Sequence, residues 1–161
     1  MKPMFSAVLA TLCLTAPAYA HDYTLGDLTI SHPMAFETTA VAQTAGGFMT
    51  VTNAGDTADK LLEVRGDFPR IEIHTTEMTD GVARMMKQEF IALPAGETVT
   101  FQPGGYHVMF MGLGGDPFEV GEEIPLTLVF ENAGEIDVVF DVEPRPTDTK
   151  GMDHSGHKME K

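Results

Sequence analysis

The 161-residue chain has a single cysteine, Cys13, and no tryptophan. Basic residues are scarce: ten Lys and Arg stand against twenty-four Asp and Glu, a formal charge of −14. That acidity argues against a nucleic-acid or anionic-membrane surface as partner. There is no apolar run long enough to cross a bilayer, no internal repeat and no sustained helical periodicity. Among the many acids, no Ser/His/Asp or paired-carboxylate arrangement with catalytic spacing stands out, so they read as a solvated surface.

The one cysteine also drops out of the mature protein. Met1-Lys2 is a short positive start, Phe5 to Ala16 is apolar, and Ala18-Tyr19-Ala20 is a small-x-small cleavage signal. Residues 1–20 read as a secretory signal peptide cut before His21, which predicts an exported protein with no stable membrane insertion. The exported chain is then thiol-free and has no disulfide, although its compartment would allow one. Any soft metal it binds must be held by methionine and histidine.

What the chain does have is methionine, eleven of them, and short alternating segments punctuated by Gly, Pro and Asn. The first strand is expected within His21–Ser31, bent at Gly26-Asp27 and ended by His32-Pro33-Met34. Gly46–Asn53, Lys60–Arg65 and Arg70–Thr76 follow. Val82–Phe90 should pair with its predecessor through the Asp80-Gly81 turn. Thr98–Gln102, Tyr106–Met111, Ile124–Phe130 and Glu135–Val142 complete the set. Eight or nine short strands predict an all-β antiparallel sandwich or barrel over residues 21–142; Greek-key topology is expected for such a fold, although pattern alone does not give it. From residue 143 the sequence loses hydrophobic periodicity and reads as a disordered tail.

The segment Gly104-Gly105-Tyr106-His107-Val108-Met109-Phe110-Met111 focuses the question of function. Alternation puts Val108 and Phe110 on one face and His107, Met109 and Met111 on the other. If the first pair enters the core, an imidazole and two thioethers remain near the surface. Thioether sulfur suits Cu(I) far better than zinc, magnesium or calcium. His74 alternates with Ile71 and Ile73 and faces away from them, toward solvent. Met85 lies across the Asp80-Gly81 turn, in the same hairpin as His74. Together His74, Met85, His107 and Met109 form a neutral donor set that favours a soft monovalent cation. Alternation alone leaves a second reading open, in which the methionines pack in the core and the histidines are scattered.

Ten residues separate His74 from Met85, twenty-one separate Met85 from His107, and Met109 follows after one more. This HX10MX21HXM spacing resembles the signature of the periplasmic copper chaperones known as PCuAC. Other segments are similar to that family too. They are Gly26-Asp27-Leu28-Thr29-Ile30 with His32-Pro33, Asp80-Gly81-Val82 with Arg84-Met85, Pro103-Gly104-Gly105-Tyr106-His107-Val108-Met109, and Pro125-Leu126-Thr127-Leu128-Val129-Phe130-Glu131. The resemblance spans residues 24–142. It implies a cupredoxin-like β-barrel that binds Cu(I) through His74, Met85, His107 and Met109. It also implies delivery of copper to oxidase assembly, with cytochrome c oxidase subunit II, at its binuclear copper site, or another assembly factor as acceptor. Met86 stands where the family commonly has Arg; alternation puts it opposite Met85, and the spacing selects Met85. Met78 and Met111 are expected at the rim of the site.

Two further stretches are candidate metal sites, the second as an alternative to the chaperone reading. In the tail, Met152, His154, His157 and Met159 form a short His/Met tract suited to Cu(II) through imidazole and to Cu(I) through sulfur. At the new N-terminus, the α-amino group and imidazole of His21 could chelate Cu(II), with His32 as the second imidazole. That would make the protein a secreted copper-dependent redox enzyme rather than a chaperone. The motif spacing favours the chaperone, and a non-enzyme.

Overall fold

The computed structural model describes residues 22–146. The signal peptide, His21 and the tail tract Met152–Met159 lie outside the described residues. Eleven strands make up the fold: β1 (Tyr23–Leu25), β2 (Leu28–Phe36), β3 (Thr44–Asn53), β4 (Asp59–Arg65), β5 (Arg70–Thr79), β6 (Val82–Gln88), β7 (Ile91–Leu93), β8 (Thr98–Phe101), β9 (Tyr106–Met111), β10 (Glu123–Phe130) and β11 (Glu135–Glu143). No helix among the described residues is long and apolar enough to cross a membrane.

The strands form one sheet, ordered β6-β5-β9-β8-β3-β2-β11-β10-β4-β7, with β1 paired to β2. It curls into a nearly closed, cupredoxin-like barrel, as the all-β reading expected. Pairing is antiparallel except at β2–β11 and at the single β8–β9 contact, which are parallel. Period-two alternation drives the curl. Along β3, every second residue from Ala45 to Asn53 is buried. Ile30, Val51, Leu61, Val108, Leu128 and Phe140 meet inside and are essentially inaccessible. Phe110 is the hub, with ring centroids 5.0 Å from Phe68, 5.3 Å from Phe118 and 6.4 Å from Phe140. Gly47 makes room for this cluster: a Cβ there would lie 2.9 Å from the Phe110 ring and 3.0 Å from that of Phe140.

Three local differences from the sequence reading have physical causes. His32-Pro33 does not end β2. It forms a bulge, with His32 at φ 50° and the register shifting between Ser31 and Met34, and pairing resumes through Ala35. A bulge accommodates a proline that cannot donate to the ladder. The Val82–Phe90 segment stops at Gln88, and Ile91–Leu93 is a separate strand on β4 with Ile91 and Leu93 buried. The first strand is two, split at Gly26-Asp27 with Gly26 at φ 59°. These splits raise the strand count from eight or nine to eleven.

Buried polar groups away from β5 and β9 are satisfied. Asn53 donates to the carbonyls of Thr57 and Leu93 and accepts from the Gly55 amide. Asp59 accepts from the amides of Lys60, Asn132 and Ala133.

Candidate metal centre

Strand β9 lies between β5 and the first half of β3. The antiparallel register pairs His74 with His107 and Glu72 with Met109. Across the hairpin, Thr76 pairs with Met85, and Asp80-Gly81 makes the two-residue turn at positive φ that an Asp-Gly pair favours. Directly opposed residues share a face. Glu72, His74, Thr76, Met85, His107 and Met109 are therefore on one face, and Ile73, Val108 and Phe110 are on the other, in the core.

Met85, His107 and Met109 line one cavity of about 340 Å3, with Phe36, Phe48 and Arg145. The Phe36 and Phe48 rings pack at 5.4 Å, and the Arg145 guanidinium lies 5.8 Å over Phe36. His74 does not line the cavity. Its ring is beside that of His107, at a centroid distance of 5.9 Å. Neither imidazole faces solvent as alternation suggested: the His74 side chain is 12% exposed and His107 6%. On the His107 side, Phe36, Phe48 and the Pro103-Gly104 turn share the cavity lining. Met85, by contrast, is 62% exposed.

The hydrogen bonds fix which nitrogen of each ring carries a proton. His74 Nε2 lies 2.8 Å from the Glu72 carboxylate and donates to it. His107 Nδ1 lies 3.1 Å from the Gly105 carbonyl, which can only accept. Each ring is thereby left with a bare lone pair on its other nitrogen. Those two atoms, His74 Nδ1 and His107 Nε2, are the buried side-chain nitrogens or oxygens that lack a hydrogen-bond partner among the described residues. Leaving such an acceptor dry costs about 1–3 kcal/mol. Two on adjacent strands are a donor pair prepared for something that takes lone pairs.

Glu72 is held ionised for its part. Its carboxyl pKa falls to about 2, first through the hydrogen bond with His74 and then through that with Lys87, partial burial opposing both. A carboxylate that accepts from the distal N–H of an imidazole raises the basicity of the other nitrogen and sets the ring's orientation. The sequence analysis missed this role, although Glu72 precedes His74 by two on the same strand face. The Gly105 carbonyl bears the same relation to His107.

The remaining candidates separate from this centre. The Met111 sulfur accepts from Arg70 Nε at 3.0 Å and does not line the cavity. Met86 pairs with Thr75, on the opposite face from Met85. His32 pairs with Glu143 at 3.2 Å. Among the described residues no three of His, Cys, Asp and Glu are placed to hold a metal. A second cavity, of about 400 Å3, lies past the Arg70 and Met111 ends of β5 and β9. It is lined by Asp67, Asp116, Glu122 and Glu123 and offers no imidazole or thioether.

The family model described as "Putative lipoprotein LpqE-like" matches residues 28–142. The chain belongs to the LpqE-like family. A curated relative, "Putative lipoprotein Lxx21020" of Leifsonia xyli subsp. xyli, is 36% identical over 63 residues. That match spans 38% of this LpqE-like chain and 37% of the relative. Among solved structures, a copper-bound PCuAC domain from PmoF2 is 31% identical, with a TM-score of 0.66 over 78% of this chain and 99% of that one. The apo PCuAC domain from PmoF1 is 28% identical, also with a TM-score of 0.66, over 78% of this chain and all of that one. The Cu(I) form of DR1885 from Deinococcus radiodurans is 27% identical, with a TM-score of 0.58 over 78% and 83%. The LpqE-like chain is thus of PCuAC type, as the motif spacing anticipated.

Proposed function

We propose that this protein is an exported copper chaperone that holds Cu(I) between His74, Met85, His107 and Met109. The observation that carries the reading is the pair of buried imidazole nitrogens, each without a hydrogen-bond partner while the other nitrogen of its ring is hydrogen-bonded. A metal binds neutral imidazole, and the two thioethers on the same face make the set soft and uncharged. Among the described residues the cavity lining holds no carboxylate that would favour a hard cation, and Arg145 is the charged residue in it. Similarity to copper-bound and Cu(I)-bound PCuAC structures supports the same cargo.

The protein acts by ligand exchange rather than turnover. Acceptor ligands replace those of the barrel one at a time, attacking where the Met85 sulfur reaches the surface. Resemblance to the PCuAC proteins makes cytochrome c oxidase subunit II, or another oxidase assembly factor, the proposed acceptor. The Met152, His154, His157 and Met159 tract is proposed to collect copper, including Cu(II), for the barrel. The family's lipoprotein description agrees with export, and we place the chain in the periplasm, cut before His21.

A competition titration of the purified protein with Cu(I), Cu(II) and Zn(II) tests the metal. Tight Cu(I) binding at the barrel with weak Zn(II) binding is expected; a preference for Zn(II) refutes the site. Incubating the loaded protein with the soluble domain of subunit II, then separating the two and assaying copper, tests the acceptor. Copper that stays on the donor refutes it. Mass spectrometry of the exported protein tests the leader: a chain beginning at His21 is expected, and a lipid on Cys13 refutes the cleavage.

A further inference from the structure

Exchange of a buried metal needs a donor that solvent or a partner can reach. On the face that carries His74, Met85, His107 and Met109, the sulfurs nearer the tip of the β5–β6 hairpin are the exposed ones. His107 is 6% exposed, Met109 is partly buried, Met85 is 62% exposed and Met78 is 69% exposed. Met78 belongs to this face because it pairs with Ala83, one step of two residues beyond the Thr76–Met85 pair. The residues between the two sulfurs, Thr76 and Ala83, are small. Diagonal neighbours on a sheet face lie about 7–8 Å apart, within reach of two long unbranched side chains. Met78 meets no core residue that would explain its chemistry, and a side chain this exposed gains little from being apolar.

We propose that Met78 is an outer thioether station for Cu(I), the ligand that copper meets first on entry and last on release. This rests on the four-ligand reading above and extends it. Copper arrives two-coordinate between Met78 and Met85, and Met78 is then displaced as Met109, His107 and His74 close around it. The metal stays Cu(I) throughout, no electron moves, and only neutral ligands exchange. Met78 does not belong to the equilibrium site, because it stands a full step farther out than Met85 and at the hairpin tip. The same geometry gives transfer a direction: acceptor ligands approach over the hairpin, while Phe36, Phe48 and the Pro103-Gly104 turn line the cavity elsewhere. Met86 is an internal control. It is likewise exposed and one residue from Met85, but it faces the other way.

The test is stopped-flow exchange of Cu(I) between the full protein and a coloured bidentate Cu(I) chelator. In Met78→Leu, uptake and release both slow about tenfold, about 1.4 kcal/mol of barrier, with the dissociation constant unchanged within about twofold. Met86→Leu exchanges at the wild-type rate. Wild-type exchange rates in Met78→Leu overturn the proposal. So does equal slowing in Met86→Leu, or a loss of equilibrium affinity in Met78→Leu as large as that in Met85→Leu. Met109→Leu, run in parallel, separates the two levels: tight binding retained there refutes the four-ligand site itself.

Discussion

His74 and His107 are directly opposed on β5 and β9, their ring centroids 5.9 Å apart, and each leaves one buried nitrogen without a partner. In most interiors such a pair would be a defect. Here the other buried polar side chains, Asn53 and Asp59, are hydrogen-bonded, so the two bare nitrogens stand out as groups the fold leaves unsatisfied at a cost in stability.

It follows that the apo protein should not suffer when one of them is removed. In His107→Phe the ring's dry nitrogen is gone, and the Gly105 carbonyl still accepts from the Thr76 amide. Apo stability is expected to hold or to rise by up to about 1 kcal/mol, since replacing an unpaired polar group by an apolar one of similar shape is neutral or favourable. The increase in melting temperature that Cu(I) gives the wild type should vanish. Thermal unfolding with and without Cu(I) measures both.

Met85→Leu with Met109→Leu asks whether sulfur is the donor. Leucine keeps volume and apolarity, so the circular dichroism spectrum and the urea midpoint should stay at wild-type values. The Cu(I) dissociation constant should rise by at least about tenfold, or 1.4 kcal/mol. A competition titration that finds unchanged affinity assigns the metal elsewhere.

Glu72→Gln addresses the support of His74. The carboxyl's pKa in the folded protein is about 2, against 4.5 for an unperturbed glutamate, because His74 and Lys87 donate to it. A depressed carboxylate stabilises the fold fully above 4.5 and loses that contribution as pH falls toward 2. The wild type should therefore outlast the variant at neutral pH, and the gap should close across that acid window. Urea unfolding of the apo protein at a series of pH values checks the sign. A gap that widens on acidification contradicts it.

Much of this could be read from the chain, and the limits were physical. Asp80-Gly81 announced the hairpin, and alternation in Val108–Phe110 separated core from site before any coordinates. What local pattern could not supply was which distant strand lies beside β9. The pairing of His107 with His74, and of Met109 with Gly46, joins segments far apart in sequence. That is why both imidazoles were expected in water and are instead buried. The Glu72–His74 bond was closer to legible, being an i, i+2 pair on one face. His32-Pro33 misled because a proline in a strand signals either an end or a bulge, and only the partner strand decides which.

Gly47→Ala tests the core that holds β9 in place. A methyl there would crowd the rings of Phe110 and Phe140 at 2.9 and 3.0 Å, and overpacking of this kind costs about 1–3 kcal/mol. Denaturant unfolding should show that loss, and Cu(I) should partly restore stability if the site survives.

Truncation after Pro146 tests the tail. Arg145, one residue earlier, is on the cavity rim. At about 3.3–3.6 Å per residue, the stretch from Arg145 to Met152 can extend roughly 25 Å. Removal should lower the number of Cu(II) ions bound and leave Cu(I) affinity at the barrel intact. An unchanged Cu(II) titration removes the tail from the scheme.

Strand β6 ends the sheet on one side, with Met85 and Met86 exposed along it. Exposed apolar edge strands invite pairing with a second chain and, from there, aggregation. Arg84 and Lys87 flank the two methionines on this short strand, one on each face. Like charges meeting across a would-be intermolecular ladder repel, so these two side chains act as gatekeepers. The exposure of Met85 and Met86 puts a permanent solubility risk on that edge, and this chain meets it by placing two of its few positive charges there.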